Sequence, residues 1–574
     1  MTIRVLLGVV VAMPLAWPVA AQDEGDSPAN ALQKKMFYRS FVQDAPACRQ
    51  SVAVVDGAAV FEGAVAGSAA ATCPDAFAWT QFASAVSEGF WNWGTDQTVW
   101  PASPWPICTE GQTYPADECC EPGAVPAEQP DTCPVFRGDY DPPSALPISL
   151  SGNPSSAVRS HHALNLADQI DPARVLRDLE LELIFRNKPM VDYIYHNDLY
   201  TTEGLAARNR AQNAALDDGD LATAHGLEVR YPVDAVMVKA DFIHQTVMAD
   251  LGLIPSLKTE GQGDDVAEPQ TPRGEVPPNN ADYPYLTKYF EDAPDADPDK
   301  SGYYYMVAMT NASKDLPIWH WYAVEHVANL GRCDYIGCND SFGYAAEDHG
   351  GTAAVFGPTY IPPMTILNDD RAPEDGPKGV TDPNTPLFVT GQVYSPEMTG
   401  EAPTDQLTAL LDGMGVGVGG PDCALDPTVL QDCDPAWRNY RLKGTQTTFN
   451  TAGGVPTGMG ATVTEGGFVN SASCTTCHSQ ASVDRFGNLG MQGVGASWTT
   501  NLLGYGRVEM GAPDLGWFYS NGGPSVSATQ VDFVWGTFNA SCVTPASDDQ
   551  KAQLPGVPCA LDSYPAAPTV VPAQ

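Results

Sequence analysis

The sequence predicts an α+β protein, a β-rich scaffold with many loops followed by a C-terminal region built around a Cys-x-x-Cys-His motif. Three observations predict it. Apolar residues alternate with polar ones in several short runs, as in Val236, Val238, Ala240 and Phe242, the period of a strand with two unlike faces. Gly and Pro, 53 and 50 of the 574 residues, punctuate those runs, which keeps elements short and connections long. Cys474-Thr475-Thr476-Cys477-His478 then lies in a late stretch rich in large apolar side chains such as Phe468, Phe486, Leu502, Trp517 and Trp535.

In chain order, residues 1–21 read as a signal peptide. Arg4 gives a short basic start, Val5 to Leu15 an apolar stretch, and Val19-Ala20-Ala21 a small-residue cleavage site before Gln22. No cysteine follows that site, which argues against a lipid anchor, and no later run reaches the ~18 apolar residues of a spanning helix. Residues 22–150 are rich in Trp, Pro and Cys. Phe77 to Phe82 opens a helix there, and Trp91, Trp93, Trp100 and Trp105 read as a packed aromatic core under loops. Residues 151–430 form the β-rich scaffold. Leu179, Leu181 and Leu183 alternate with charges as a half-exposed strand, and Asn187-Lys188-Pro189 starts a helix with stripe Met190, Tyr193 and Ile194. Strands follow over 236–242, 303–309 and 318–327. In the last, His320, Tyr322, Val324 and His326 share one face and Trp319 and Trp321 the other.

An acidic insertion spans about 255–300. Asp295, Asp297 and Asp299 echo a calcium loop, but Lys300 holds the usual Gly place and no Glu closes the set, so a solvated acidic turn is expected. Residues 431–545 carry the Cys-x-x-Cys-His motif, and 546–574 form a tail.

Charge and cysteines bound the function. The net charge of −41 arises from few cations, 29 Lys and Arg, since only 17% of residues are charged. Such a chain repels the phosphate backbone, so nucleic acid is excluded as a partner; a basic redox protein fits the field. Of 14 cysteines, two belong to the motif. The even remainder in an exported chain reads as disulfides: Cys48 with Cys73, Cys333 with Cys338, Cys423 with Cys433 and Cys542 with Cys559. Cys108, Cys119, Cys120 and Cys133 pair among themselves in an order that spacing leaves open. A zinc or iron–sulfur site is the rival reading there, and the cluster lacks paired Cys-x-x-Cys knuckles.

Cys-x-x-Cys-His is the attachment signature of haem c. Two thiols three positions apart reach the two vinyl groups of one porphyrin, and the following His is carried to the iron as an axial ligand. Cys474 and Cys477 are the expected cofactor-binding residues and His478 the proximal iron ligand, with one covalent haem per chain. The opposite ligand stays open between His326 and Met510, with Met491 a further candidate in a Gly-rich loop. A Met ligand makes a closed, high-potential carrier; His lowers the potential; an open position allows small-molecule chemistry.

The chain also resembles an uncharacterised family of large, exported, single-haem bacterial proteins labelled cytochrome c family. The matching stretches include Phe77 to Phe82, Val236 to Phe242, Leu316 to Trp321, Glu325-His326-Val327, Leu442 to Thr447, Cys474 to His478 and Val531 to Trp535. They span most of the mature sequence, and their order carries the likeness. The Cys-rich stretch 108–133 departs from it. The resemblance implies haem and export, and supplies no reaction. The expectation is an exported, periplasmic mono-haem cytochrome that transfers electrons. A haem enzyme, either a peroxidase or a small-substrate oxidoreductase, is the alternative, with a haem-based sensor or binding protein as a third reading. No Ser-His-Asp grouping, phosphate-binding Gly loop or nicotinamide or flavin fingerprint names another chemistry.

Overall fold

A computed structural model describes residues 44–124, 132–136, 138, 158–159, 180–263, 266–291, 301–329, 340–344, 402–450, 457–461, 464–465, 472–488, 499–500, 506–507, 511–513, 518, 526–536 and 540–561. The expected signal peptide, residues Asp295, Asp297 and Asp299 of the expected acidic turn, Cys333 and Cys338, Met491 and Met510 lie outside them.

The architecture is mixed α+β around one eight-stranded antiparallel sheet. A hairpin of β1 (Val52–Val55) and β2 (Ala58–Phe61) precedes it. The sheet contains β3 (Gly94–Thr95), β4 (Val158–Arg159), β5 (Glu180–Arg186), β6 (Val236–His244), β7 (Thr287–Phe290), β8 (Gly302–Ser313), β9 (His320–His326) and β10 (Tyr440–Gln446). The order is β10-β9-β8-β6-β5-β3, with β4 also on β5 and β7 also on β8. Two small ribbons follow, β11 (Ser482–Val483) with β14 (Thr529–Gln530) and β12 (Thr499–Thr500) with β13 (Gly506–Arg507).

The expected strands are present, but their exposure differs from the sequence reading. Every residue of β8 is buried, and Glu182 on β5 is only 5% exposed. The alternation around Leu181 and Leu183 therefore does not mark a half-exposed strand. It separates two buried faces, one apolar and one that buries charge.

On the first face Leu181, Leu183, Phe185, Val238, Ala240 and Phe242 pack in one core. α1 (Pro74–Ser87) and the later α5 (Asp405–Gly413) contribute Trp79, Phe82, Leu407 and Leu410 to it. Asp44 accepts hydrogen bonds from the backbone N–H groups of Asp75 (2.7 Å) and Ala76 (3.0 Å), satisfying donors that the first turn of α1 leaves free. Asp75 in turn accepts from Thr445 Oγ1 (3.0 Å), tying α1 to β10. Trp91 stacks on Trp437 at 5.9 Å, so the Trp-rich segment is packed core as expected.

The second face carries Met237, Ala308, Ala312, Trp321 and Ala323. α2 (Lys188–His196) adds Met190, Tyr193 and Ile194, its predicted stripe, and is capped by Asn187, whose Oδ1 accepts from Met190 N (3.3 Å). α3 (Thr202–Asp217) and α4 (Gln245–Asp250) lie on this side too. So does α6 (Cys474–Ser479), whose Cys474 belongs to the same core as Trp321. β10, near the start of the 431–545 stretch, is a strand of the central sheet.

Five disulfides are formed among the described cysteines: Cys48–Cys73, Cys108–Cys119, Cys120–Cys133, Cys423–Cys433 and Cys542–Cys559. The adjacent Cys119 and Cys120 thus close two separate loops. All four sulfurs of the 108–133 cluster are used, which rules out the zinc or iron–sulfur reading there.

Candidate functional site

α6 puts three reactive groups on one side. Residues at i, i+3 and i+4 share a helix face, so Cys474, Cys477 and His478 project together. The helix starts at Ser473, whose hydroxyl accepts from Thr476 N (3.3 Å). Gln446, the last residue of β10, donates to Ser473 Oγ (2.9 Å) and accepts from Thr475 N (3.1 Å). The sheet therefore holds the start of the motif directly.

The two thiols are unlike every other described cysteine. Cys474 and Cys477 alone among the described cysteines are outside disulfides. Burial pushes the Cys474 thiol well up and the Cys477 thiol to about 11. Both stay protonated at neutral pH, whereas a Cys-x-x-Cys that exchanges disulfides depends on a lowered thiol pKa. Cys474 Sγ lies 3.5 Å from the Met459 carbonyl oxygen, and the Cys477 carbonyl accepts from Trp535 Nε1 (3.2 Å).

His478 has one nitrogen committed. Its Nδ1 lies 2.9 Å from the Phe533 carbonyl oxygen, so the proton belongs on Nδ1 and the Nε2 lone pair is left for an electrophile. Burial, with help from the Lys239 charge, lowers its pKa to about 4 and keeps the imidazole neutral. The Trp321 ring packs beside it with centroids 4.3 Å apart.

Beneath α6 the sheet buries an ionic network. Lys239 Nζ on β6 is 3.6 Å from Glu182 and 4.0 Å from Glu465. Lys443 on β10 pairs with Glu325 on β9 at 3.3 Å, both side chains 0% exposed. Thr464 donates to Asp241 on β6. Sequence reasoning passed over all of these. The available signal was the charged residues alternating within strands, a pattern that also describes an ordinary solvated face.

The candidate His326 is placed elsewhere. It is five positions from Trp321 on β9, so the two leave the sheet on opposite faces. Its Nε2 is 3.3 Å from the Pro284 carbonyl oxygen, its Nδ1 accepts from Ala328 N (3.2 Å), and its ring stacks on Tyr285 at 3.5 Å. Both ring nitrogens are engaged, and the structure does not bring His326 to His478. Met510 and Met491 lie outside the described residues. The residue after Met510, Gly511, accepts a hydrogen bond from Thr476 Oγ1 (2.6 Å) on α6.

Comparison with protein-family models, curated proteins and solved structures found no match to this chain.

Proposed function

We propose that the protein is an exported mono-haem c-type cytochrome that transfers electrons, with haem joined to Cys474 and Cys477 and His478 as the iron ligand. The observation that carries this reading is the company these residues keep. Among the described cysteines they alone are outside disulfides, and they share a helical face with a neutral imidazole whose Nδ1 is already held by a backbone carbonyl. Ligating histidines are oriented in this way, by an acceptor at the nitrogen that does not face the metal. The donor set therefore fits the group. Haem c, when bound, would supply one-electron redox chemistry; this chain would supply attachment, a fixed imidazole and a largely dry setting.

Export is supported by the disulfides. A periplasmic location follows from the haem reading, since haem is ligated to such motifs there. The net charge of −41 suits a redox partner that presents a basic face. Met510 is the favoured second ligand, because its neighbour Gly511 is bonded to α6 while His326 is engaged on the far side of the sheet.

The ionic network under α6 favours a second reading, a haem peroxidase or small-substrate oxidoreductase. A simple carrier has no need of buried Glu182 and Glu465 around a half-buried Lys239 beside its thiols, whereas acid–base work uses such groups. Carbon monoxide with reduced protein and cyanide with oxidised protein separate the two: inertness supports the carrier, rapid binding the enzyme. For haem attachment itself, the protein should keep its haem through a denaturing gel and the Cys477→Ala variant should lose most of it. Release of haem from the unmodified chain on denaturation would defeat the proposal.

A further inference from the structure

We infer that Asp532 is the positioning residue for His478: its carboxylate, held by Lys314, Trp319 and Tyr231, fixes the turn that carries the Phe533 carbonyl to His478 Nδ1. The chemical meaning given to that contact rests on the haem reading above.

The turn is costly by itself. Val534 N donates to Val531 O (3.1 Å), closing four residues, and both central ones are left-handed, Asp532 at φ 49° and Phe533 at φ 68°. Asp tolerates that conformation, but Phe does not favour it, and such backbone persists only where surroundings over-determine it. Here they do. Asp532 Oδ1 is 2.5 Å from Lys314 Nζ and 3.4 Å from Trp319 Nε1, and Oδ2 accepts from Tyr231 N (2.8 Å). The Lys314 and Asp532 side chains are 12% and 8% exposed, so the pair is sheltered from solvent screening.

The flanks of the turn are tied to the motif. Val531 N donates to Ala481 O (2.9 Å), just beyond α6, and Trp535 Nε1 reaches the Cys477 carbonyl. The segment is thus held along α6 at both ends while Asp532 anchors its middle to the scaffold. Lys314 directly follows β8, and Trp319 directly precedes β9. Through Asp532 the large sheet sets the direction of an acceptor that a small haem region would otherwise have to fix alone.

An Nδ1–H donating to a carbonyl makes the imidazole a stronger donor to iron and favours the oxidised state. The experiment compares the unmodified protein with Asp532→Ala, Asp532→Asn and Lys314→Met. Measurements are haem content, midpoint potential and, by nuclear magnetic resonance on ¹⁵N-histidine protein, the tautomer and Nδ1 proton exchange of His478. Glu268→Gln is the control for general loosening, since it disturbs a buried carboxylate held by Ser256 Oγ (2.7 Å) and Leu257 N (2.5 Å) away from the motif.

Asp532→Ala should keep one covalent haem, raise the midpoint potential and speed Nδ1 proton exchange about tenfold, the loss of one net hydrogen bond. Asp532→Asn, which keeps an acceptor for Tyr231 N, and Lys314→Met should give smaller shifts in the same direction and serve if Asp532→Ala does not fold. Unchanged potential and exchange in the folded variants, or equal shifts in Glu268→Gln, would overturn the inference while leaving haem attachment standing. If the unmodified protein carries no haem, the haem reading fails, and the His478 tautomer and exchange in the haem-free chain still decide whether Asp532 positions the ring.

Discussion

Trp321 on β9 lies against His478 on α6, ring centroids 4.3 Å apart and planes tilted by 44°. The contact joins the scaffold to the motif. Trp321 is 1% exposed, and its Nε1 donates to Ile318 O (3.0 Å), so the ring cannot easily turn away. Replacing it with Ala should cost about 3–5 kcal/mol of stability, the usual cost of deleting a buried large ring. It should also leave His478 freer to rotate. Denaturant unfolding measures the first effect, and a broadened electron paramagnetic resonance signal of the oxidised haem protein would show the second. Trp321→Phe should lie between.

The pair Glu325 and Lys443 gives a second prediction. Both side chains are fully buried, at 3.3 Å, so removing one partner leaves the other charge buried without its nearest counter-charge. Lys443→Met should destabilise by roughly 3–5 kcal/mol, and the double variant Glu325→Gln, Lys443→Met by clearly less. Additive losses in a double-mutant cycle would refute that coupling.

His320 gives a pH dependence. It is 0% exposed on β9, its Nε2 lies 3.1 Å from the Pro74 carbonyl oxygen, and Nδ1 has no hydrogen-bond partner among the described residues. Burial lowers its pKa from 6.5 to about 4. Because the folded state binds this proton less readily than the unfolded state, stability is full above about pH 6.5 and is lost as pH falls towards 4. The loss amounts to about 3 kcal/mol below both values. Asp44, raised to about 6 by burial, acts in the opposite sense, so the comparison must be with His320→Gln over the same range. The variant should lose less stability on acidification than the parent. Parallel stability curves would contradict the assignment.

The disulfides give a fourth. Peptide mapping without reduction should recover Cys108–Cys119 and Cys120–Cys133 as separate links, together with Cys48–Cys73, Cys423–Cys433 and Cys542–Cys559. Cys333 with Cys338 is expected as the sixth. Opening Cys120–Cys133 by changing both residues to Ser should cost about 2–4 kcal/mol, chiefly by freeing the unfolded chain. Recovery of Cys119 linked to Cys133 would show that the adjacent pair is connected the other way.

Strand positions were legible because alternation is local: Val236, Val238, Ala240 and Phe242 name β6 whatever lies around them. Their environment was not. Lys239 and Asp241 alternate with those residues as solvent-facing charges would, yet Asp241 is buried and Lys239 half-buried on the face that also holds Glu465. The start of α2 was readable from Asn187 and Pro189, since a cap acts within one turn. At the site the motif announced three residues and nothing of what orients them. A backbone carbonyl such as that of Phe533 leaves no trace in residue type, and Trp321 reaches His478 only once the sheet has formed. His326 shared a strand with Trp321, and its place on the other face follows from their odd spacing. That parity was readable from sequence; which face α6 would cover was not.

Under the proposed function Cys474 and Cys477 carry a covalent haem with His478 on its iron, and the intact mass of the purified protein tests this most directly. Mass spectrometry after acid–ketone extraction should find every chain heavier by one haem, and digestion should place the added mass on the peptide containing Cys474 to His478. A chain at its bare polypeptide mass, or one with Cys474 and Cys477 joined to each other in a disulfide, would contradict it.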